Sequence, residues 1–386
     1  MNKTILLCMG TRPEIIKMAP VYYALKEKGM EPLLLHTGQH KDMADPMYRF
    51  FRIVPDFSLN LARKSDALYH LSAQLLEKLG AAFGAVKPSA VLVHGDTSSA
   101  AMAALAAFYQ RIPIGHVEAG LRSQQDYDPF PEEKNREIIG RLARWHFAPT
   151  EQARQNLLRE NTHDARIHVV GNTVVDAVRL ANSDFSDTVK QTKELTAGPL
   201  KTLPAMLAGR RLVLITAHRR ENLGRPLLSI TEAVRDLLEQ HPDIVVVWPV
   251  HSNPHIRATV DEALLELAPE VAQRLFLTRP LSYPTTLNLL KRAWLVLTDS
   301  GGIQEEASCM HTPVLILRET TERPELVDSG GGMLIGTDRR TIVARVDQLS
   351  RNPAALQSMR SAPNPFGDGH AAARIHDILF RSDNAI

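Results

Sequence analysis

Cysteine is scarce in this sequence, and long apolar runs are missing altogether. Its 386 residues include only Cys8 and Cys309, and neither has metal-type spacing. We expect both to be reduced and buried, Cys8 in a strand and Cys309 in a helix. The first apolar run, at residues 5–9, is too short for a signal-peptide core, and no segment approaches the length of a membrane span. The sequence therefore predicts a cytoplasmic protein.

An excess of charge of one sign is also lacking. The formal net charge is +2, with no basic block or arm, so charge gives no support for nucleic-acid binding. The first strand-to-helix turn lacks the Gly-x-Gly-x-x-Gly spacing of a dinucleotide fold, so a nicotinamide cofactor is not indicated. The length, with 44% hydrophobic and 23% charged residues, is typical of a globular enzyme of two domains.

Short apolar runs alternate with amphipathic helical stretches through most of the chain, which predicts an α/β doubly wound architecture. The predicted strands are residues 5–9, 32–37, 90–94, 114–117, 146–148, 167–170, 212–215, 244–247, 275–277, 295–298, 313–317 and 333–335. In such sheets ligands bind beyond the carboxyl ends of the strands. The residues that follow each run are therefore the candidates for chemistry.

The turn after residues 295–298 combines a fold signal with a chemical one. Asp299-Ser-Gly-Gly302 precedes a predicted helix, with Ser300 as its N-cap and two glycines that let a ligand approach the backbone. Such a helix start suits a phosphate or diphosphate. Glu306 lies one turn further, where its carboxylate could accept both hydroxyls of a ribose. The alternative is an ordinary turn followed by a solvated Glu305-Glu306 pair.

Two further segments carry polar motifs. Arg12 and Lys17 lie at the start of the first predicted helix, where two cations suit a phosphate, although Lys17 could instead be a surface side chain. Residues 122–136 form a polar loop with two prolines and two aromatics, a candidate substrate lid. A helix is predicted to begin near Pro131. Glu132 and Glu133 in its first turn could be simple complements of the helix dipole.

The strand and helix pattern loosens after residue 171. We place the connection between domains near residues 172–182 and expect an N-terminal domain of residues 1–172 and a C-terminal domain of residues 173–365. A last helix at about residues 370–381, within the segment 366–386, is expected to return to the first domain. The prediction is thus two doubly wound, Rossmann-like lobes that face a cleft.

A set of strand-end motifs spans essentially the whole chain in order. They are Gly10-Thr-Arg-Pro-Glu14 with Lys17-Met-Ala-Pro20, His94-Gly-Asp-Thr97, Gly115-His-Val-Glu-Ala-Gly-Leu-Arg122, Pro129-Phe-Pro-Glu-Glu133, Ala217-His-Arg-Arg-Glu-Asn222, Asp299-Ser-Gly-Gly-Ile-Gln-Glu-Glu306, Thr320-Thr-Glu-Arg-Pro-Glu325 and Asn364-Pro-Phe-Gly-Asp-Gly369. With these motifs the sequence resembles the bacterial, non-hydrolysing UDP-N-acetylglucosamine 2-epimerases.

This resemblance implies a two-lobed fold of the glycosyltransferase-B type, a homodimer, and an isomerase that needs neither metal nor cofactor. The implied reaction inverts C2 of UDP-N-acetylglucosamine to give UDP-N-acetylmannosamine for surface polysaccharide synthesis. UDP is eliminated across C1–C2 to give a 2-acetamidoglucal and is then added back. Such chemistry needs carboxylates to move protons and positive charge to stabilise the departing diphosphate.

Carried over residue by residue, the resemblance implies three sets of side chains. The catalytic set is Asp96, Glu118, Glu132 and His218, with His218 beside the diphosphate. The UDP-binding set is Arg12, Lys17, His218, Ser300, Gly301, Gly302, Glu306 and Arg323. A regulatory site for a second UDP-N-acetylglucosamine would include Gln39, His40, Arg219 and His251. We expect Asp96 to be the base at C2, because a weakly acidic proton calls for a desolvated carboxylate.

Several alternatives remain open at the level of sequence. The protein could be a hydrolysing epimerase that releases free N-acetylmannosamine, an epimerase for a related UDP-amino sugar, or a glycosyltransferase of the same fold. It could also be a nucleotide-sugar sensor without catalysis. The three acids Asp96, Glu118 and Glu132 argue against a transferase and a sensor. For Gln39 and His40 the alternative is simple capping of a strand end.

Overall fold

The computed structural model describes residues 4–39, 41–62, 67–127, 129–190, 192–219, 222–251, 253–264 and 267–381, without the side chains of residues 41, 42 and 190. The chain forms two compact units. The first is Met1–Leu180 together with Phe366–Ile386, and the second is Ala181–Pro365. The first unit thus extends past the predicted domain end at residue 172, and the division between the units lies within the predicted connection at residues 172–182.

The first unit is built on a parallel sheet with the strand order β3-β2-β1-β4-β5-β6-β7. Its strands are β1 (Thr4–Met9), β2 (Glu31–His36), β3 (Phe57–Ser58), β4 (Ala90–His94), β5 (Ile114–Val117), β6 (Trp145–Ala148) and β7 (Ile167–Val169). Its helices up to the boundary are α1 (Arg12–Glu27), α2 (Lys41–Phe50), α3 (Leu68–Val86), α4 (Ser98–Tyr109), α5 (Glu132–Leu142), α6 (Glu151–Arg159) and α7 (Thr173–Ser183), with a short 3-10 helix at Asp164–Arg166.

The second unit has its own parallel sheet, with the order β10-β9-β8-β11-β12-β13. Its strands are β8 (Arg211–Thr216), β9 (Ile244–Pro249), β10 (Leu275–Thr278), β11 (Leu295–Thr298), β12 (Val314–Ile316) and β13 (Gly332–Leu334). Its helices are α8 (Ser186–Lys190), α9 (Lys193–Thr196), α10 (Leu203–Met206), α11 (Arg225–Gln240), α12 (Pro254–Leu264), α13 (Pro269–Ala272), α14 (Tyr283–Arg292), α15 (Gly301–Cys309), α16 (Pro324–Asp328), α17 (Arg339–Arg351) and α18 (Pro353–Arg360).

The strands lie in the core because their side chains are apolar on both faces. All of β4 and β11 is buried, as expected for central strands covered by helices on both sides. In the first unit, α4 is rich in alanine and packs between α3 and α5. In the second, Trp248 of β9 and Tyr283 of α14 are completely buried. Each unit therefore has an apolar core of its own.

The chain returns to the first unit through a last helix, α19 (Ala371–Arg381), which packs against α1. Its first N–H groups need partners outside the helix. The buried carboxylate of Asp176 in α7 supplies them, since it accepts from the backbone N of Ala371 at 3.2 Å and of Ala372 at 3.0 Å. Burial raises the pKa of Asp176. This carboxylate joins the end of the chain to the first unit.

The predicted α/β, doubly wound class is confirmed, and every predicted strand is present with its ends within two residues. Strand β3 was missed, because it is two residues long and exposed. Cys8 is buried in β1 as predicted, whereas the prediction of a buried Cys309 is wrong, because this thiol at the end of α15 is only partly buried. Among the described residues, no helix is long and apolar enough to cross a membrane.

Candidate active site

Each sheet has one point where the strand order changes direction, and such points form the binding crevices of doubly wound sheets. In the first sheet the point lies between β1 and β4, and in the second between β8 and β11. The segments that follow these strands carry predicted site residues in both units. Lys17 and Asp96 follow β1 and β4, whereas His218 and Ser300 follow β8 and β11.

Glu118 is the most enclosed of the three predicted acids. It follows β5 with a left-handed backbone (φ +65°) and is buried. The ammonium of Lys17 forms an ion pair with its Oε2. Asn172 donates to the same oxygen from 3.0 Å, and Nε2 of His94 lies 3.7 Å from it. The interpretation of Lys17 as a surface side chain is therefore wrong, because α1 directs it into the first unit.

Asp96 sits between the end of β4 and the start of α4, and its side chain is 23% exposed. Arg136 contacts Oδ2 with Nε at 2.9 Å and with Nη2 at 2.6 Å. The amide of Asn135 also donates to the backbone oxygen of Asp96, at 2.8 Å. The expectation of a desolvated Asp96 is thus wrong, because its carboxylate is paired with a buried guanidinium and partly reaches solvent.

The first turn of α5 carries the remaining predicted acid and a neighbour. Glu132 is half-buried at the first helical position. Glu133 is only 1% exposed and accepts from the backbone N of Ser123 at 3.0 Å and of Gln124 at 2.9 Å. Arg136 also donates to Glu133, at 3.0 Å. Glu133 is therefore more than a complement of the helix dipole, since it fixes the start of the predicted lid loop.

The turn after β1 is organised by Glu14. Its Oε2 accepts from the backbone N of Gly10 at 2.8 Å and of Thr11 at 2.7 Å, and its Oε1 accepts from Thr97 at 2.7 Å. Burial raises the pKa of Glu14. Gly10 is required here, because a Cβ atom would lie 2.0 Å from Oγ1 of Thr37. The Gly-Thr-Arg-Pro-Glu motif thus builds the turn as well as presenting Arg12, which is half-buried.

Gln39, one of the candidate regulatory residues, contacts the start of α4. Oε1 of Gln39 accepts two hydrogen bonds from Ser99, one from its hydroxyl at 2.6 Å and one from the backbone N of Ser99 at 3.2 Å. This contact joins Gln39 to the first turn of α4, whereas the alternative considered from the sequence was capping of a strand end. His40 lies outside the described residues.

In the second unit, the completely buried Asp299 holds the turn after β8. Its Oδ2 accepts from the backbone N of His218 and of Arg219, both at 2.8 Å, and from Nδ2 of Asn222 at 2.9 Å. Nδ1 of His218 lies 3.6 Å from Oδ1 of Asp299. The imidazole of His218 stacks on that of His251, with ring centroids 5.9 Å apart. Asp299 therefore holds His218 just beyond the carboxyl end of β8.

The start of α15 is the predicted nucleotide turn. Ser300 occupies the N-cap position as predicted, although its hydroxyl makes no capping hydrogen bond. The guanidinium of Arg323 lies directly against Gly301, since a Cβ atom there would be 2.3 Å from Nη1. Gly302, in contrast, is open, with no atom within 4 Å of an added Cβ among the described residues.

Acidic side chains hold the arginines around this helix start. Glu305 accepts from Nε of Arg323 at 2.6 Å. Glu322 accepts from Arg323 at 3.1 Å and from Arg318 at 3.2 Å, and Nη1 of Arg219 lies 3.7 Å from its other oxygen. Because both Glu305 and Glu306 are buried, the alternative of a solvated pair is wrong. The N-terminus of α15, with the guanidinium of Arg323 beside it, makes this turn suitable for an anion.

Comparison with known proteins agrees with this geometry. The family model described as UDP-N-acetylglucosamine 2-epimerase matches residues 23–380. The chain belongs to the UDP-N-acetylglucosamine 2-epimerase family. The resemblance carried by the strand-end motifs is therefore confirmed.

Individual relatives of the UDP-N-acetylglucosamine 2-epimerase family match almost the whole chain. UDP-N-acetylglucosamine 2-epimerase from Escherichia coli K12 is 44% identical over 376 residues, 97% of this chain and 98% of that one. The structure of S. aureus MnaA with UDP has a TM-score of 0.88 at 38% identity, covering 100% and 98%. The UDP-GlcNAc 2-epimerase of Neisseria meningitidis bound to UDP-GlcNAc has a TM-score of 0.88 at 36% identity, covering 98% and 100%.

Sequence reasoning did not assign roles to several residues that hold the predicted site of this family member together. They are Glu14, Glu133, Arg136, Asn172, Asp299 and Glu322. For Glu14 a signal existed, since Thr11 followed three residues later by Glu is the pattern of a capping box. Arg136 lies three residues after Glu133, a helical spacing that suits an ion pair. Asn172 and Glu322 gave no comparable local signal, because their partners are distant in sequence or belong to irregular segments.

Proposed function

We propose that this protein interconverts UDP-N-acetylglucosamine and UDP-N-acetylmannosamine without hydrolysis, as a step towards surface polysaccharide. The observation that carries the proposal is the near-complete match to the Neisseria meningitidis epimerase that was solved with UDP-GlcNAc bound. Features of both units support this proposal. One unit has carboxylates near its switch point, and the other has a helix start that suits an anion.

UDP is proposed to bind at the turn formed by Ser300, Gly301 and Gly302. The open face of Gly302 leaves room for a diphosphate against the backbone N–H groups of α15. Arg323 and His218 supply positive charge or hydrogen bonds to that diphosphate. Glu306 is proposed to bind the ribose, one turn further along α15.

Arg12 and Lys17 complete the proposed UDP-binding set from the first unit. The contact of Lys17 with Glu118 suggests a second task for this cation, because it stabilises the ionised form of that acid. In the same way, Asn172 orients the Glu118 carboxylate. Lys17 is therefore proposed to act on both the substrate and a catalytic acid.

The proposed reaction has two balanced stages. A carboxylate removes the proton from C2, the electrons of that C–H bond form a C1=C2 double bond, and the C1–O bond breaks so that UDP leaves with its electron pair. The resulting 2-acetamidoglucal then receives a proton at C2 on the opposite face, and a phosphate oxygen of UDP adds to C1. Both stages need proton transfer and stabilisation of the diphosphate charge.

Asp96 is proposed as the base at C2, with Glu118 and Glu132 in supporting or reciprocal proton transfers. We expect Asp96→Asn to lose most exchange of the C2 proton with solvent, because an amide cannot accept that proton. Asp164→Asn is a matched control, since Asp164 is exposed and pairs with Arg154 away from the predicted site residues. Wild-type exchange in Asp96→Asn would assign the base to another acid.

Regulation by a second UDP-N-acetylglucosamine is proposed for the site that includes Gln39, His40, Arg219 and His251, in a homodimer. Turnover that starts from pure UDP-N-acetylmannosamine should then be slow until a trace of UDP-N-acetylglucosamine is added. Linear progress curves without that addition would contradict the activation. Light scattering of the pure protein measures the oligomeric state.

The function is tested by proton NMR of UDP-N-acetylglucosamine incubated with the pure protein in D2O. We expect UDP-N-acetylmannosamine to form, with deuterium at C2 of both nucleotide sugars and no free monosaccharide. Free N-acetylmannosamine with UDP would indicate a hydrolysing enzyme. Absence of exchange would direct the test to related UDP-amino sugars and then to a sensor role, and transfer of sugar to an added acceptor would indicate a glycosyltransferase.

A further inference from the structure

Arg136 connects a proposed catalytic acid to the start of the lid loop. Its side chain is almost completely buried, although guanidinium groups are rarely buried without carboxylate partners. The guanidinium contacts Asp96 on one side and Glu133 on the other. We propose that Arg136 is a positioning residue that orients the Asp96 carboxylate for proton transfer at C2. This inference rests on the proposed function.

The contacts with Asp96 are asymmetric. Both Nε and Nη2 of Arg136 reach Oδ2, at 2.9 Å and 2.6 Å. Among the described residues, the hydrogen bonds to the Asp96 carboxylate all go to Oδ2, and none goes to Oδ1. A fixed guanidinium that holds one oxygen therefore presents the other in a defined direction. Such an arrangement suits a carboxylate that must take a proton from a carbon atom in a fixed orientation.

The backbone of Asp96 is held from the same helix. Asn135, the neighbour of Arg136, donates its amide to the backbone oxygen of Asp96 at 2.8 Å. Adjacent residues of α5 thus fix both the main chain and the side chain of this acid. Rotation of the Asp96 side chain would break its contact with Arg136.

Glu133 fixes the opposite side of the guanidinium. It accepts from Arg136 at 3.0 Å and from the backbone N of Ser123 and Gln124. The carboxylate that holds Arg136 therefore also anchors the first residues of the loop. Because a planar guanidinium can reach two carboxylates at once and a lysine ammonium has no such fork, this position favours arginine over lysine.

The test compares Arg136→Met and Arg136→Lys with wild type in the C2-exchange and epimerisation assays. We expect kcat to fall about 100-fold in Arg136→Met and about tenfold in Arg136→Lys, with KM within about threefold, because misplacement of a catalytic group costs rate rather than binding. Arg141→Met is the matched control. Arg141 lies on the same helix but is exposed and donates to the backbone oxygen of Glu160.

A double variant distinguishes the positioning of Asp96 by Arg136 from a purely structural role of Arg136. If Arg136 acts through Asp96, Arg136→Met should cause no further loss of kcat in an Asp96→Asn background. A further loss of the same size as in wild type would overturn the proposal. Arg136→Lys keeps the buried cation, so it provides the decisive variant if Arg136→Met does not fold.

The outcomes also separate this inference from the proposed function. Wild-type protein without C2 exchange would overturn both. Wild-type exchange together with an unchanged kcat in folded Arg136→Lys would overturn only the positioning role of Arg136. A rise in KM with unchanged kcat would also overturn it, because Arg136 would then contribute to substrate binding.

Discussion

At the scale of single residues, Gly301 and Gly302 are neighbours at the start of α15 with opposite surroundings. A Cβ atom at Gly301 would lie 2.3 Å from Nη1 of Arg323, whereas one at Gly302 meets no atom within 4 Å among the described residues. The two glycines are therefore needed for different reasons. Gly301 accommodates the protein's own guanidinium, and Gly302 leaves space outside the protein.

The corresponding prediction concerns stability. We expect Gly301→Ala to lower the free energy of unfolding by about 1–3 kcal/mol, because Arg323 must leave its place beside Glu305. Gly302→Ala should be neutral or raise it by up to about 1 kcal/mol, since alanine restricts the unfolded chain more than glycine does. Urea unfolding of both variants measures these changes. Equal losses would contradict the difference in their surroundings.

The same pair tests the proposed UDP site. If the diphosphate approaches the backbone of α15, Gly302→Ala should bind UDP at least about tenfold more weakly while remaining fully folded, because the added methyl group occupies the ligand's space. Calorimetric titration with UDP measures this affinity. Wild-type affinity in Gly302→Ala would place UDP away from this residue.

At the scale of elements, β5 and β6 bring two buried histidines side by side. His116 and His146 are register partners in this parallel pair. Burial lowers the pKa of His116 to about 3 and that of His146 to about 4. Both imidazoles are therefore neutral in the folded protein at pH values where the unfolded chain binds protons.

The sign of the resulting pH effect follows from linkage. A histidine with a lowered pKa contributes stability above its ordinary pKa of about 6.5, and this contribution is lost as the pH falls below it. By pH 5 each histidine should cost the fold on the order of 2 kcal/mol. Glu14, whose pKa is raised by burial, has the opposite sign. Only a comparison with a variant can therefore isolate the histidines.

We predict that His146→Gln loses about 2 kcal/mol less stability than wild type between pH 7.5 and pH 5, because glutamine takes up no proton. Native-state hydrogen exchange of the β5 and β6 amides measures the opening free energy of these strands at each pH. His163→Gln is the control, since His163 is exposed at the start of the short 3-10 helix. Parallel pH profiles of wild type and His146→Gln would contradict the prediction.

Strands and their ends could be predicted from the sequence, whereas contacts between distant residues could not. Buried parallel strands are continuous apolar runs, so β4, β5 and β11 were predicted with their exact ends. The candidate site residues at strand ends could be located as well, because they directly follow these apolar runs. The partners of these residues could not be predicted, because they depend on tertiary packing. Arg136 lies 40 residues from Asp96, and Asn172 lies 54 residues from Glu118.

At the scale of the whole molecule, the first unit contains both ends of the described chain. The chain leaves it after Leu180 and re-enters at Phe366. Re-entry is held by a backbone hydrogen bond of 2.7 Å from Asn172 to Phe366 and by the capping of α19 by Asp176. A second carboxylate, Asp377, also connects α19 with the first unit, through Lys28 at 2.6 Å.

These two aspartates should differ strongly in their contribution, although both form contacts between α19 and the rest of the unit. Asp176 is buried and satisfies two backbone N–H groups, so Asp176→Ala should destabilise the docking of α19 by about 1–2 kcal/mol. The pair of Asp377 and Lys28 is exposed, so Asp377→Ala should cost less than about 0.5 kcal/mol. Hydrogen exchange in α1 and α19 measures both effects, with α11 of the second unit as an internal reference. Equal effects of the two substitutions would contradict the difference expected between a buried carboxylate that caps the helix and an exposed ion pair.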